Sequence, residues 1–182
     1  MVTRAPLSLA PISLERVWEW LGDVPDPEVP AVSVVDLGIV REVAWSSDDA
    51  DAALDVTITP TYTGCPATAV IGRDIVNALH ERGVRDVRLR TQLDPPWTTD
   101  WLSAAAREKL RAYGIAPPVG TSGDVAPGTE LALLRRGASR PVACPRCGSV
   151  DASRTSEFGS TPCKALYRCN ACAEPFDYFK CH

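Results

Sequence analysis

Two pairs of cysteines, Cys144-Pro-Arg-Cys147 and Cys169-Asn-Ala-Cys172, stand 21 residues apart near the end of a 182-residue chain. A two-residue spacer lets both sulfurs of a pair face one ion, and two such pairs supply four thiolates, the complement of a tetrahedral Zn²⁺ site. The interval is slightly longer than the usual ~15–20 residues, which predicts a zinc ribbon with a generous hairpin. Iron bound by the same sulfurs is the alternative, because ligand softness and geometry do not separate it from zinc. Four protein ligands close the coordination shell, so the expected ion is structural. Three more groups of the same chemistry lie nearby, Cys163 and the final Cys181-His182, and these are further candidate ligands.

The seventh cysteine is far away. Cys65 sits in the stretch TPTYTGCPAT, between a β-like run and a helix-like run. Pro66 suits the first turn of a helix, which places Cys65 at or beside the N-cap, where unpaired amides favour a thiolate. One reading is a nucleophile or soft-metal ligand; the other is a packed residue at a tight turn. A cysteine–histidine catalytic pair is poorly supported, since the two histidines are His80, at the far end of that helix, and His182. Upstream, Asp26-Pro27-Glu28-Val29-Pro30 forms a stiff acidic loop, and Asp36 reads as a turn residue whose carboxylate bonds the backbone.

The elements that must position these groups are legible from periodicity. Ser13 caps SLERVWEWLG, with Leu14, Val17, Trp18 and Leu21 at helical spacing. Residues 39–45 and 53–59 alternate as the two arms of an antiparallel hairpin. From Pro66 the stripe Ala67, Ile71, Ile75, Leu79 predicts a helix of about four turns closed by Gly83. Residues 84–91 then form a third strand with Arg88 and Arg90 facing solvent. Thr98 or Thr99 caps a last helix in which Leu102, Ala106, Leu110 and Tyr113 share a face and Gly114 is the stop. The class is α+β: a small mixed sheet with helices packed on it, followed by a small zinc-ribbon β unit. The expected organisation is an α+β domain over 1–115, a linker rich in proline and glycine over 116–140, and the ribbon over 141–182. Within the linker, ELALLRR reads equally as strand or helix.

Composition narrows the function. The chain is 45% hydrophobic and 23% charged, with a formal net charge of -4. No apolar run approaches the ~18 residues of a membrane span, and no secretory signal is evident at the N-terminus, so a cytoplasmic location is expected. Residues 1–114 carry 11 Lys+Arg against 17 Asp+Glu, while residues 141–182 carry 5 against 4. Neither part is the basic body that nucleic-acid binding requires. There is no paired Glu-x-x-His di-iron pattern and no glycine-rich dinucleotide motif. No nucleic acid, no membrane and no catalysis of its own are the expectations.

DPEVP, VVDLGIVREV, TPTYTGCPAT and DPPWTTDWLSAAAREKLRAYGI together resemble the iron–sulfur cluster assembly domain shared by SufT-like proteins and the cytosolic assembly factor of eukaryotes, over roughly residues 13–115. The run SEFGSTPCKALYRCNACAEPFDYFKCH looks like the PaaD (PaaJ) family, encoded with the phenylacetyl-CoA epoxidase of aerobic phenylacetate breakdown. That resemblance implies a non-catalytic accessory or maturation role, with the oxygenase or the flavin and iron–sulfur reductase subunits as partners. It implies that Cys65 holds or passes iron or an iron–sulfur cluster transiently, with Asp26 and Glu28 shaping the site and the ribbon docking a client. The rival expectations are a structural or coupling subunit that transfers no metal, a zinc-ribbon nucleic-acid regulator and, least favoured, a thiol enzyme. A homodimer bringing two Cys65 thiols together is compatible with the sequence.

Overall fold

A computed structural model describes residues 12–47, 52–119 and 141–180. Helix α1 (Leu14–Gly22) is capped by Ser13, whose hydroxyl accepts from the Arg16 amide, and it buries Val17 and Leu21 completely. Burial of side chains of that size contributes about 1.5–3 kcal/mol each. Strands β1 (Val40–Trp45) and β2 (Leu54–Ile58) form the antiparallel hairpin, with a register shift between Val40 and Glu42.

Helix α2 (Thr68–Glu81) then carries the chain over to β3 (Val87–Thr91), which pairs parallel with β2. A parallel neighbour cannot be reached through a tight turn, so the helix is the crossover. The sheet is therefore three-stranded and mixed, in the order β1-β2-β3. Its inner face carries Leu54, Val56 and Ile58, while Asp55 pairs with Arg90 at 3.9 Å on the other side. Helix α2 approaches so closely that a Cβ on Gly72 would stand 2.7 Å from Leu89 Cδ2.

The last helix differs from the expectation. Residues 99–113 are not continuous: a 3-10 turn (Thr99–Trp101) capped by Thr98 gives way to an extended Leu102, and Ser103 caps a new helix, α3 (Ala104–Tyr113). The Ser103 hydroxyl accepts the Ala106 amide at 2.9 Å, the local bond with which serine competes against helix continuation. Leu102, Ala106 and Leu110 are buried, but Tyr113 is exposed. The 3-10 turn also meets Gly38, whose φ of 65° leaves no room for a side chain, since a Cβ there would lie 2.7 Å from Trp101 Cβ.

After Gly114 the chain adds a short strand, β4 (Ile115–Ala116), to a second sheet with β5 (Ala152–Ser156), β6 (Lys164–Cys169) and β7 (Pro175–Phe179), in the order β4-β7-β6-β5. The β4–β7 pairing is parallel; the other two are antiparallel. Tyr167 stacks on Phe176 with ring centroids 5.8 Å apart and packs with Val142, Ala165 and Cys169 in a small core. Cys163 and Phe179, by contrast, belong to the larger core of the first sheet, where Phe179 meets Trp97 at 6.1 Å. The Trp97 indole in turn donates to the Leu37 carbonyl at 2.9 Å. The C-terminal sheet thus closes one side of the α+β unit. No helix among the described residues is long and apolar enough to cross a membrane.

Candidate functional site

The four cysteines of the two pairs converge. Their sulfurs all lie within 4.8 Å of one another, with Cys144 Sγ 3.8 Å from Cys172 Sγ and Cys147 Sγ 3.6 Å from Cys169 Sγ. Sulfurs held about 2.3 Å from one tetrahedral ion stand roughly 3.8 Å apart, whereas a disulfide requires about 2.05 Å. The donor set and its spacing therefore fit one tetrahedral metal.

Each pair turns in the same way, with the residue after the second cysteine left-handed: Gly148 at φ 76° and Ala173 at φ 63°. Alanine in that conformation costs on the order of 1–2 kcal/mol. The Cys169 thiol is drawn down to about 7, chiefly by the Cys172 amide, which lies 3.5 Å from its sulfur. For Cys172 the Glu174 amide acts in the same sense, but neighbouring sulfurs and burial outweigh it and push the thiol up to about 12. Among the described residues this quartet is the one place where three or more His, Cys, Asp or Glu ligand atoms gather so closely.

A second constellation lies in a cleft between the two sheets. It is lined by Asp26 and Glu28 from the acidic loop, Cys65 and Thr68 at the entry to α2, and Cys163 and Phe179 from the C-terminal unit. The enclosed space is about 10 Å³, close to one water-sized sphere. Cys65 stands two residues before the N-cap, which is Ala67 rather than Cys65 or its immediate neighbour. The Cys65 amide donates to the Tyr62 carbonyl at 3.1 Å and its carbonyl accepts from Thr68 at 3.2 Å, so a turn intervenes before the helix. His80 lies in the last turn of α2, away from that entry. Cys181 and His182 fall outside the described residues.

The acidic loop is built around a buried carboxylate. Asp26 Oδ1 accepts from the amides of Glu28 and Val29 at 2.9 and 2.8 Å. Burial nevertheless pushes its pKa up, against the pull of those amides and of Lys164. Glu28 is raised by burial and then by the Asp26 charge, and burial likewise raises the Cys163 thiol, whose sulfur is 3.0 Å from Thr161 Oγ1. Asp36 behaves as a turn residue should: it exchanges bonds with Ser33 and pairs with Lys109 at 2.6 Å. Those contacts outweigh burial and hold its carboxyl below the ordinary value.

Because the folded Asp26 keeps its proton above the ordinary value of 3.8, the folded state binds it more tightly than the unfolded chain does. Its contribution to stability is full below that value and is lost as the pH rises through the folded pKa. Asp26→Asn keeps an oxygen for both amides and removes the buried charge. The variant is expected to be more stable than the wild type near neutral pH, with the gain shrinking as the pH falls through the folded pKa and gone below about 3.8, in urea midpoints measured across that range.

Two electrostatic neighbours of the cleft's titratable groups carry no local sequence signal. Tyr62 buries its hydroxyl beside Cys65, and burial, followed by the charges of Cys65, Glu28 and Cys163 and a hydrogen bond with Cys65, raises its pKa. Lys164 is buried although it alternates with the exposed Leu166 and Arg168 on the outer side of β6. At that end of the strand the outer side faces the α+β unit; the cross-strand partner of Lys164 is Phe179, which is in the larger core. The alternation is visible in the sequence, but the surface it meets is not.

An acidic, cysteine-bearing cleft on an α+β unit is thus joined to a four-cysteine ribbon, and both parts match known protein families. Residues 14–88 match the family described as "Iron-sulfur cluster assembly protein", and residues 130–180 match the "PaaD zinc beta ribbon domain". The chain is 45% identical, over 96% of its own length and 96% of the other's, to a putative 1,2-phenylacetyl-CoA epoxidase subunit of Escherichia coli (strain K12). It belongs to the PaaD family of phenylacetyl-CoA epoxidase subunits. It is also 34% identical to "Fe-S protein maturation auxiliary factor YitW" of Bacillus subtilis (strain 168), over 53% of this chain and 91% of that protein. A solved structure, a domain of unknown function (DUF59) from Bacillus anthracis, aligns at 28% identity over 53% of this chain and 89% of that one, with a TM-score of 0.47.

Proposed function

We propose that this protein is a non-catalytic maturation factor of a phenylacetyl-CoA epoxidase system, passing iron or an iron–sulfur cluster to a partner subunit through Cys65. The observation that carries this reading is the meeting of Cys65 with Asp26 and Glu28 in one cleft, within the region similar to cluster-assembly proteins. Asp26 fixes the loop through its two amide bonds, and Glu28 lines the same cleft as Cys65. A thiolate ligand suits transfer by exchange: a client thiolate forms its bond to the metal as the Cys65 bond breaks, and the proton the client gives up is available to the released sulfur. The cargo is the substrate of this step, and no redox change is required.

Cys144, Cys147, Cys169 and Cys172 hold a structural Zn²⁺, which fixes the ribbon over 141–182 next to the assembly domain over 1–115, and the ribbon docks the client. The clients are the oxygenase or reductase subunits. Cys65→Ser is expected to lower epoxidase activity in cells while leaving the fold and zinc content of the purified protein unchanged. Full activity with that variant refutes the transfer role.

The name of the Escherichia coli relative, which calls it a subunit, favours a second reading in which the protein is a stoichiometric coupling component. Co-purification with the oxygenase in fixed ratio, insensitive to Cys65 substitution, selects it.

A further inference from the structure

Resting on the transfer role of Cys65, we infer that the client subunit adds to the free edge of β3 an extended segment, alternating apolar and acidic residues, which leads it to Cys65. Strand β3 ends its sheet, with β2 on one side only. The Leu54 amide donates to the Asp86 carbonyl and the Gln92 amide to the Ile58 carbonyl, both at 2.8 Å. Alternate residues of a parallel strand bond the same neighbour. Asp86, Arg88, Arg90 and Gln92 therefore turn their backbone groups toward β2, while Val87, Leu89 and Thr91 turn theirs outward. No strand among the described residues takes these groups. Such a row is a template for one more strand.

The same edge borders a groove that runs to the proposed transfer site. Ala69, Gly72 and Val76 of α2 line it together with Leu89 and Thr91 of β3, and Cys65 lines it where α2 begins. Ile58, Cys65 and Thr68 line both this groove and the cleft that holds Asp26 and Glu28. Cys65 thus stands at the junction of the two. Cargo held on the cleft side is open to a client arriving along the groove.

Charge selects the occupant. Residues 85–90, RDVRLR, hold three arginines against one aspartate, within a region, residues 1–114, where acidic residues outnumber basic ones 17 to 11. Arg88 and Arg90 are exposed, and their carboxylate partners, Asp86 and Asp55, stand 3.8 and 3.9 Å away. Exposed pairs of that length hold the arginines weakly, so both can turn to an acidic partner. Their side chains leave the strand on the face opposite Leu89. A strand beside β3 sets one row of side chains against the groove and the other beside these arginines, which calls for one apolar row and one acidic row. A second copy of β3 is the wrong partner. In an antiparallel pair centred on Leu89, each Arg88 stands opposite the other copy's Arg90, and like charges so placed are destabilising.

The test uses the full chain, with zinc in the ribbon, and the purified reductase and oxygenase subunits of the epoxidase as probes. When one of these subunits is added, hydrogen–deuterium exchange at the Val87, Leu89 and Thr91 amides is expected to slow by about tenfold or more, read by mass spectrometry of peptides spanning 84–93. The double variant Arg88→Glu, Arg90→Glu should bind that subunit about tenfold more weakly, with the difference largest at low salt. Arg16→Glu, on α1, is the control and should bind as the wild type does. Thr91→Pro removes an outward amide without touching the ladder to β2, so it should weaken binding and keep the wild-type circular dichroism. Unchanged exchange at the three amides on binding, or unchanged affinity of the double arginine variant, overturns the edge site. Failure of both subunits to bind overturns it too. Protection already present in the free protein, with a dimer in sedimentation, gives the edge to a second copy and overturns the client site. Edge-dependent binding together with full iron loading of the client in cells making Cys65→Ser supports the docking site and refutes the transfer role, so the two fail separately.

Discussion

Replacing Cys169 by serine, or extracting the ribbon metal with a chelator, is expected to unfold the C-terminal sheet. The local core is small: Val142, Ala165, Tyr167 and Phe176 with two of the cysteines and Ala116. Strand β5 is largely exposed along its length. A unit of roughly 40 residues cannot bury enough surface to offset its chain entropy, and structural zinc supplies apparent free energies of about 10–16 kcal/mol in such modules. Cys169 is the most sensitive position, being completely buried and the acceptor of the Cys172 amide. The effect should spread. Once β6 and β7 are lost, Cys163 and Phe179 leave the cleft that holds Cys65. Circular dichroism and zinc analysis of the chelated protein, beside the Cys169→Ser variant, check both parts. Retention of the β-sheet signal after complete zinc loss contradicts the assignment.

Phe179→Ala is expected to cost about 3–5 kcal/mol, the range for truncating a buried aromatic side chain. Phe179 is 2% exposed, is among the largest fully buried residues and packs on Trp97, which anchors the loop at Leu37. The loss falls on the contact that seats the C-terminal sheet against the α+β unit. Unfolding by denaturant should show the reduced midpoint, and limited proteolysis should cut the ribbon free sooner than in the wild type. Phe158→Ala is the control. That ring is 62% exposed and its Lys180 ammonium contact, 4.5 Å to the centroid, is a surface cation–π pair, so its removal should change stability by no more than about 1 kcal/mol.

Local signals carry most of this architecture. Ser13 and Gly114 bound helices because their chemistry acts within a few residues, and the alternation Leu54, Val56, Ile58 marks a strand with one buried face. The ribbon quartet is legible for the same reason, since two short spacers fix four sulfurs. Pairing between distant segments is not legible. Nothing local tells Ile115 and Ala116 to join β7, or brings Cys163 to Cys65, because those contacts depend on how one finished sheet covers another. Cys65 falls short of the cap because Pro66 is not the first helical residue: a turn through Tyr62 and Cys65 comes before it. The break before α3 has an equally short-range cause, a serine strong enough as a cap to restart the helix.

The proposal that joins these elements into a function is transfer of metal through Cys65. The most direct measurement is the iron and cluster content of the epoxidase's reductase and oxygenase subunits, isolated anaerobically from cells that make either the wild-type protein or Cys65→Ser. The account predicts a severalfold loss of iron in one of those subunits with the variant, whose own zinc and fold are intact. Equal and complete loading in both backgrounds would contradict it.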